Sequence, residues 1–505
     1  MAFKGTPDFD LCVIGGGING AGIARDAAMR GLSVLLVEAQ DIAGATSSAS
    51  TKLIHGGLRY LEYGEFRLVR ESLQERETLM RIAPQIIKPL DFVMPHTPEL
   101  RPAWMIRLGL FLYDHLGGKI SLPASRGVDL KKEESGKPLK DSYQRGFHYS
   151  DCWVEDSRLV LLNVISAAEH GARIMTRTAC IGLEPTTDKS SWSVKLRNIS
   201  TGDEGTFTAR AVINATGPWV RKFLEGCNIA GPEIPHVRLV KGSHIILPRL
   251  YEGSHTYLLQ QPDRRVVFAI PYEGRYTLVG TTDVEYKGDP ASVAIDDNEI
   301  DYLVKAVNRF FKGQVSPKHI FWTYSGVRPL LDDGSDNASS VTRDYRLIAD
   351  QSHGPLILSV FGGKLTTYRK LSEQAVDQLF SLQKYKFKPT VTHKNYLPGG
   401  DISGSMDDFI KNQIKVYSWL GENIVKRYAR TYGTRMNILL KGKTSVASLG
   451  VYFGDGIYEA ETDYLMRHEW ARNLDDMLWR RTKMGLHICE DTYNNLAAYH
   501  SSKAA

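Results

Sequence analysis

Gly15, Gly17 and Gly20 stand between an apolar run at 10–14 and an Ala-rich stretch at 21–30 that stops at Gly31; a second apolar run at 33–37 then ends at Glu38. This order of strand, glycine turn, helix and strand spells a βαβ unit with a dinucleotide at its turn. The first glycine permits the tight turn out of the strand, the second lets a pyrophosphate approach the backbone, and the third allows close helix–strand packing. Glu38 stands where a carboxylate accepts from ribose hydroxyls. The helix would face the phosphates with its N-terminal dipole and end at a residue suited to the left-handed conformation. A tight turn that binds nothing is the competing reading, and it requires all these features to coincide by chance. The fingerprint alone does not choose between NAD and FAD.

At 505 residues the chain exceeds the length over which one hydrophobic core keeps growing, so two or three domains are expected. With 42% hydrophobic and 24% charged residues it has a globular composition, and no window reaches the roughly 18 apolar residues of a membrane span. The first ten positions carry neither the basic patch nor the apolar core of a secretory signal, so a cytoplasmic protein, free or bound to a membrane face, is expected. Cys12, Cys152, Cys180, Cys227 and Cys489 are scattered without a C-x-x-C pair. That usage indicates reduced thiols and neither a disulfide framework nor a metal site. The net charge of +6 fits an anionic substrate or an anionic lipid surface. No basic run is interleaved with aromatics, which argues against nucleic acid.

Segments 127–141 and 332–340 are charged and turn-forming and read as exposed loops. Short β-rich stretches at 193–196 and 206–208 lead to the run 211–214, and 243–247, 266–270 and 276–279 read as strands of a mostly antiparallel sheet. Residues 397–405, LPGGDISGS, break all periodicity and read as a linker. Beyond it Phe409, Ile410, Ile414, Tyr417 and Leu420, then Leu465, Trp470, Leu474 and Leu478, recur at helical spacing, so the last hundred residues are expected to be all-helical. Residues 102–113, PAWMIRLGLFLY, are apolar with one internal Arg107; they are too short to span a membrane. They suit either a core helix or an interfacial one bearing Arg101, Trp104 and Arg107.

Two later segments favour FAD over NAD. At 211–219, AVINATGPW, an apolar strand ends in Ala-Thr-Gly, where Thr216 and Gly217 let the backbone pass close to a planar ligand. At 356–368, LILSVFGGKLTTY, a strand meets Gly362 and Gly363 and then a helix start. Free amides at a helix N-terminus stabilise negative charge, which a reduced flavin carries near its N1 and O2 atoms.

The segments 41–62, 101–117, 149–160, 213–220, 238–245, 279–290, 324–330, 342–345 and 359–370 occur here in order. In them, from Asp10 to about Lys483, the chain resembles the FAD-dependent, quinone-linked glycerol-3-phosphate dehydrogenases of aerobic bacteria. The resemblance implies an α/β flavoprotein. Its parts would be a two-dinucleotide-fold, glutathione-reductase-like FAD domain (1–90, 150–225 and 345–390), a β-rich substrate domain (91–149 and 226–344) and a helical C-terminal domain (391–505).

It further implies that Arg59, Arg328, Arg343 and Lys364 hold the phosphate and substrate oxygens, with Tyr60 as a hydrogen-bond donor. Arginine suits phosphate because its planar fork binds two oxygens at once. Arg328, in Gly-Val-Arg-Pro, is expected in a loop, or alternatively in an ion pair with a neighbouring Asp. Arg328 and Lys364 also count as catalytic, with His55 and His244 as the candidate bases, since histidine titrates near neutrality. His55 is favoured because Gly56, Gly57 and Arg59 follow it; an imidazole satisfied in the core is the alternative for either. Cofactor contacts would come from Gly15, Gly17, Gly20, Glu38, Ser47, Ser48, Lys52, Thr216, Gly217, Gly362, Gly363, Leu365 and Thr366. The expected partners are glycerol 3-phosphate, membrane quinone, the anionic inner face of the cell membrane and a second copy of the chain in a homodimer. An oxidase that returns electrons to O₂, and a flavin-binding protein without turnover, are the competing readings.

Overall fold

The computed structural model describes residues 7–97, 99–118, 120–229, 231, 234–331 and 344–504. The strand Phe9–Ile14 lies inside an eight-stranded sheet ordered Tyr345–Asp350, Ile357–Gly362, Glu204–Asn214, Phe9–Ile14, Val34–Val37, Arg173–Met175. It pairs in parallel with Val34–Val37 on one side and with the second half of Glu204–Asn214 on the other. The first half of Glu204–Asn214 runs on into an antiparallel meander with Trp192–Asn198 and Thr178–Pro185. Side-chain alternation then sets three layers. Leu11 and Val13 pack with residues of the helices Ile18–Met29, Asp156–Glu169 and Tyr368–Leu382, whereas Cys12 and Ile14 pack with Trp192, Val194 and Leu196 of the meander.

The second sheet has ten strands, ordered Val284–Glu285, Val237–Pro248, Tyr276–Gly280, Val266–Tyr272, Thr256–Gln260, Ile87–Pro95, Arg145–Val154, Leu53–Ile54; Trp322–Leu331 pairs onto Val237–Pro248, and Arg126–Asp129 onto Arg145–Val154. Its pairings are antiparallel except for Thr256–Gln260 beside Ile87–Pro95. One face is covered by Leu303, Val307 and Phe310 of the helix Asp297–Phe310, which opens on a capping box of Asp296 and Glu299. The other face packs on Val69, Leu73, Ile106, Leu110 and Tyr113 of the helices Phe66–Ile82 and Ala103–Leu116.

The expected domain breaks after 90 and after 149 fall inside Ile87–Pro95 and Arg145–Val154, which belong whole to this second sheet. Composition does not say which of two sheets a buried strand joins. Segment 127–141 differs from an exposed loop: Arg126–Asp129 is an edge strand, and Val128, Leu130 and Leu139 are buried. Segment 332–340 lies outside the described residues.

The C-terminal unit consists of the helices Met406–Val416, Glu422–Tyr432, Met436–Leu439, Glu459–Glu469 and Glu490–Ala504, interrupted by a small antiparallel ribbon of Tyr452–Gly454 and Ile457–Tyr458. The segment expected as a linker is packed instead. Leu397 is fully buried and its N–H donates to Ile82 O at 2.8 Å. A Cβ on Gly399 would stand 2.2 Å from Tyr432 O, and one on Gly433 1.9 Å from Gly399 O. These glycines let two backbones touch. Buried ion pairs complete the docking: Arg158 Nη1 meets Glu469 Oε2 at 2.5 Å, and Arg481 meets both oxygens of Asp41 at 2.7 and 2.8 Å.

The helix Ala103–Leu116 buries only part of its apolar surface. Trp104 is 66% exposed, Leu108 52% and Phe111 50%, with Met105 beside them. Tyr63 and Phe66, on segments that pack against this helix, are exposed as well. Arg101 turns to Glu62 and Arg107 to Ser125. Among the described residues no helix is long and apolar enough to cross a membrane.

Candidate active site

The three fingerprint glycines divide their work. A Cβ on Gly15, whose φ is +111°, would stand 2.4 Å from Ala215 O, and one on Gly20 would stand 1.9 Å from Gly15 O. These two make the turn and the helix–strand contact. At Gly17 the same atom would meet only Ser47 Oγ, at 3.2 Å, so this face is open to a ligand. The helix Ile18–Met29 starts there with no side-chain cap and no acidic residue in its first turn, which suits an anion. Glu38 Oε2 accepts the Gly16 N–H at 2.6 Å and Oε1 that of Gln40 at 2.7 Å; burial pushes its carboxyl above the ordinary range. Ser47 Oγ accepts the Ile18 N–H at 3.0 Å, while Ser48 Oγ donates to Ala45 O at 3.1 Å.

On the parallel neighbours of the first strand, Thr216 donates to Asn214 Oδ1 at 2.7 Å, and Gly217, with φ +58°, has open space at its missing Cβ. Gly362 and Gly363 both have positive φ, at +77° and +97°, and Asn19 Nδ2 donates to Gly362 O at 3.2 Å. The short turn Leu365–Thr367 and the helix Tyr368–Leu382 follow directly. The glycine turn at the end of the strand Ile357–Gly362 is thereby tied to the helix that starts at Gly17.

Between the two sheets lies a cavity of about 410 Å³ that His55, Arg59, Tyr60, His244, Arg328, Lys364, Leu365 and Thr366 all line. Ser47 and Gly363 reach it as well. A larger cleft of about 1020 Å³ opens between 77–89 and the C-terminal unit and holds none of the expected site residues. Arg59 donates to Tyr63 Oη at 3.3 Å, and its buried Nε has no hydrogen bond among the described residues. Lys364 Nζ sits 4.9 Å from the Tyr60 ring centroid. Arg343 lies outside the described residues.

Arg328 is in the strand Trp322–Leu331 rather than in a loop, because Gly326 and Pro329 are accommodated by antiparallel pairing with Val237–Pro248. Its Nη1 meets Asp283 Oδ1 at 2.5 Å, and its Nη2 donates to Thr281 Oγ1 and Thr282 O, both at 3.1 Å. Gly242 makes room, since a Cβ there would stand 2.1 Å from Arg328 Nη2. The arginine is therefore both ion-paired and cavity-lining.

The two histidines differ. His244 is almost fully buried, stacks on Tyr324 at 4.7 Å, and places Nε2 3.0 Å from Thr51 Oγ1. Burial, then the charges of Arg328 and Lys52, holds its pKa well below the ordinary value, so the ring stays neutral. His55 sits at the cavity wall: its N–H donates to Thr366 Oγ1, and that hydroxyl donates back to His55 O, both at 3.3 Å.

Lys52 is 2% exposed, and its ammonium meets Asp156 Oδ1 at 2.7 Å and Ser48 O at 3.2 Å. A buried ammonium requires a carboxylate, and Asp156 supplies it. Sequence reasoning did not single out Asp283, Thr281, Thr51 or Asp151, although all line the cavity. Asp283 and Thr281 stand in the segment 279–290 already noted, but only the register between three strands brings them to Arg328.

The FAD dependent oxidoreductase family matches residues 10–369, and the C-terminal domain of alpha-glycerophosphate oxidase matches 390–498. A glycerol-3-phosphate dehydrogenase of Pseudomonas aeruginosa is 52% identical over 98% of this chain and 95% of its own length. An aerobic glycerol-3-phosphate dehydrogenase of Escherichia coli is 50% identical, with 97% of each chain covered. A D-erythritol 1-phosphate dehydrogenase of Brucella abortus is also 50% identical, over 95% of each. The crystal structure of the glycerol-3-phosphate dehydrogenase of Bacillus halodurans complexed with FAD superimposes with a TM-score of 0.79 at 25% identity, covering 100% of this chain and 91% of that one.

Proposed function

The chain belongs to the FAD-dependent oxidoreductases, among the glycerol-3-phosphate dehydrogenases, and from there we propose that it oxidises sn-glycerol 3-phosphate to dihydroxyacetone phosphate and passes the electrons to membrane quinone. The residues present fit FAD: the face of Gly17 is open, Glu38 closes the second strand, and the Gly362–Gly363 turn abuts the cavity. When bound, FAD accepts at N5 the hydride that leaves C2 of the substrate. Arg59 and Arg328, with Lys364 and Tyr60, hold the phosphate and orient the polyol. Asp283 keeps the Arg328 fork fixed, which spares the ordering cost at binding. His55 takes the proton of the C2 hydroxyl. His244, kept neutral by burial, is the weaker base and serves as a fixed hydrogen-bonding wall. The observation that carries the reading is the cavity itself, in which cations and a histidine converge on the second glycine turn.

The test is anaerobic bleaching of the flavin absorbance by glycerol 3-phosphate, followed by O₂ or a soluble quinone. Bleaching with fast reoxidation only by quinone is the expected result. Fast reoxidation by O₂ would make the protein an oxidase. Bleaching by D-erythritol 1-phosphate alone would transfer the assignment to that substrate, and no bleaching despite bound FAD would leave a flavin-binding protein without turnover.

Attachment to the inner face of the membrane is supported by the exposed face of Trp104, Met105, Leu108 and Phe111, which an interfacial helix would bury. Leu108→Glu with Phe111→Glu is expected to abolish sedimentation with anionic vesicles and leave flavin reduction intact. If the pair instead splits a homodimer in solution, that face belongs to a second copy of the chain.

A further inference from the structure

Gly56, the residue after His55, is gripped by a buried ionic group, of which Asp151 reaches the cavity wall. Its N–H donates to Tyr113 Oη at 2.7 Å, and that hydroxyl lies 2.8 Å from both carboxylate oxygens of Asp151. Asp151 in turn accepts from Arg76 Nη1 at 2.8 Å. The three side chains are 1–2% exposed. The proton positions follow from the donor inventory. An ionised carboxylate only accepts, so the single phenolic proton points at Asp151 and the phenolic oxygen faces the Gly56 amide. Arg76 balances the buried charge, and donation of the phenolic proton to Asp151 makes the phenolic oxygen a stronger acceptor for the amide.

There is no slack around this contact. A Cβ on Gly56 would stand 2.7 Å from Tyr113 Oη and 2.6 Å from Leu73 Cδ2. From the front, Thr366 holds the His55 peptide at both its N–H and its carbonyl. The two residues are thus clamped between the turn that abuts the cofactor site and a buried ionic group. Stability alone is a poor reason for such a group, because apolar side chains of the same volume commonly serve a core as well or better. What apolar side chains cannot supply is a directional acceptor for one particular amide.

We propose that Tyr113, oriented by Asp151 and Arg76, is a positioning residue for the reaction, fixing the His55–Gly56 peptide and with it the stance of the imidazole over the cavity. The proposal rests on the reading of His55 as the base. Tyr113→Phe removes the nearer acceptor while keeping the ring, leaving the Gly56 N–H only Asp151 Oδ1 at 3.4 Å, and Asp151→Asn keeps the volume while weakening both that contact and the alignment of the phenol. Each variant is purified with its FAD and compared with the unsubstituted protein, using whichever of the two polyol phosphates bleaches that protein.

The limiting rate of flavin reduction is expected to fall about 10- to 100-fold, as a small misplacement of a reacting group does. The half-saturating substrate concentration should move little, because the phosphate-holding cations are untouched. Independently of turnover, amide hydrogen exchange over 53–60 should quicken in both variants. Reduction at the unsubstituted rate with unchanged exchange would overturn the proposal. So would loss of stability or FAD content with an unchanged rate per remaining flavin. Failure of the substrate reading would appear instead in the unsubstituted protein, as bleaching by the wrong polyol phosphate.

Discussion

Two groups of arginines, one buried where the C-terminal unit docks and one half-buried at the cavity, are engaged in different ways. Where the C-terminal unit docks, Arg481 gives Nη1 and Nη2 to Asp41 and Nε and Nη2 to Glu469 O, and Arg158 meets Glu469. At the cavity wall, Arg59 donates to Tyr63, and Arg328 is held by Asp283 and Thr281. Arg481, with every guanidinium nitrogen engaged, is a rivet; Arg59 and Arg328, at the cavity wall, are the cations we propose for an anionic substrate.

The largest effect should separate the two groups most sharply. Arg158→Leu strands Glu469, which has no exposure, and is expected to cost about 3–5 kcal/mol of stability. The thermal midpoint should drop by several degrees while kcat/KM per bound flavin stays unchanged; a loss of kcat/KM would blur the distinction. Arg59→Ala should do the reverse, lowering kcat/KM by roughly 2–3 kcal/mol, the scale of a charged hydrogen bond to phosphate. Its melting curve should overlay the parent's. Arg328→Lys keeps the charge and loses the fork, so steady-state kinetics should show about a tenfold fall, or ~1.4 kcal/mol.

The smallest effect reads the cavity's positive field from inside. The folded pKa of His244 is depressed by burial and by Arg328 and Lys52, so its stabilising contribution is complete above the unfolded value near 6.5 and is lost progressively as pH falls below it. At pH 6 the loss is under about 1 kcal/mol. His244→Asn should flatten the midpoint-against-pH curve below 6.5, and an unaltered slope would mean that the fold does not depress the ring's pKa.

What was legible in the sequence was local. Gly15 and Gly20 act within one βαβ unit, so their spacing carries their packing roles in the turn and the helix–strand contact. The Arg328 brace was not legible, because Asp283 reaches it only through strand register. Lys52 sat in the right segment, yet its side chain was claimed by Asp156, a partner far along the chain. Glycines at 397–405 suggested a free linker because glycine marks both slack chain and touching backbones, and only the neighbour at Tyr432 tells them apart. The apolar stretch 102–113 fitted a core helix and an interfacial one equally; the packing decided that only Ile106, Leu110 and Tyr113 are covered.

The pairing of the first strand also sets a timetable. Leu11 pairs with Ala211, and Val212 with Ile357, so at roughly 5–20 residues per second a ribosome leaves the fingerprint without its central neighbour for about 10–40 s. The turn at 362–366, which we propose closes the cofactor site, emerges later still. On that reading FAD is kept only after residue 366 of the 505 has been made, and a nascent chain stalled before it would present the fingerprint without that turn.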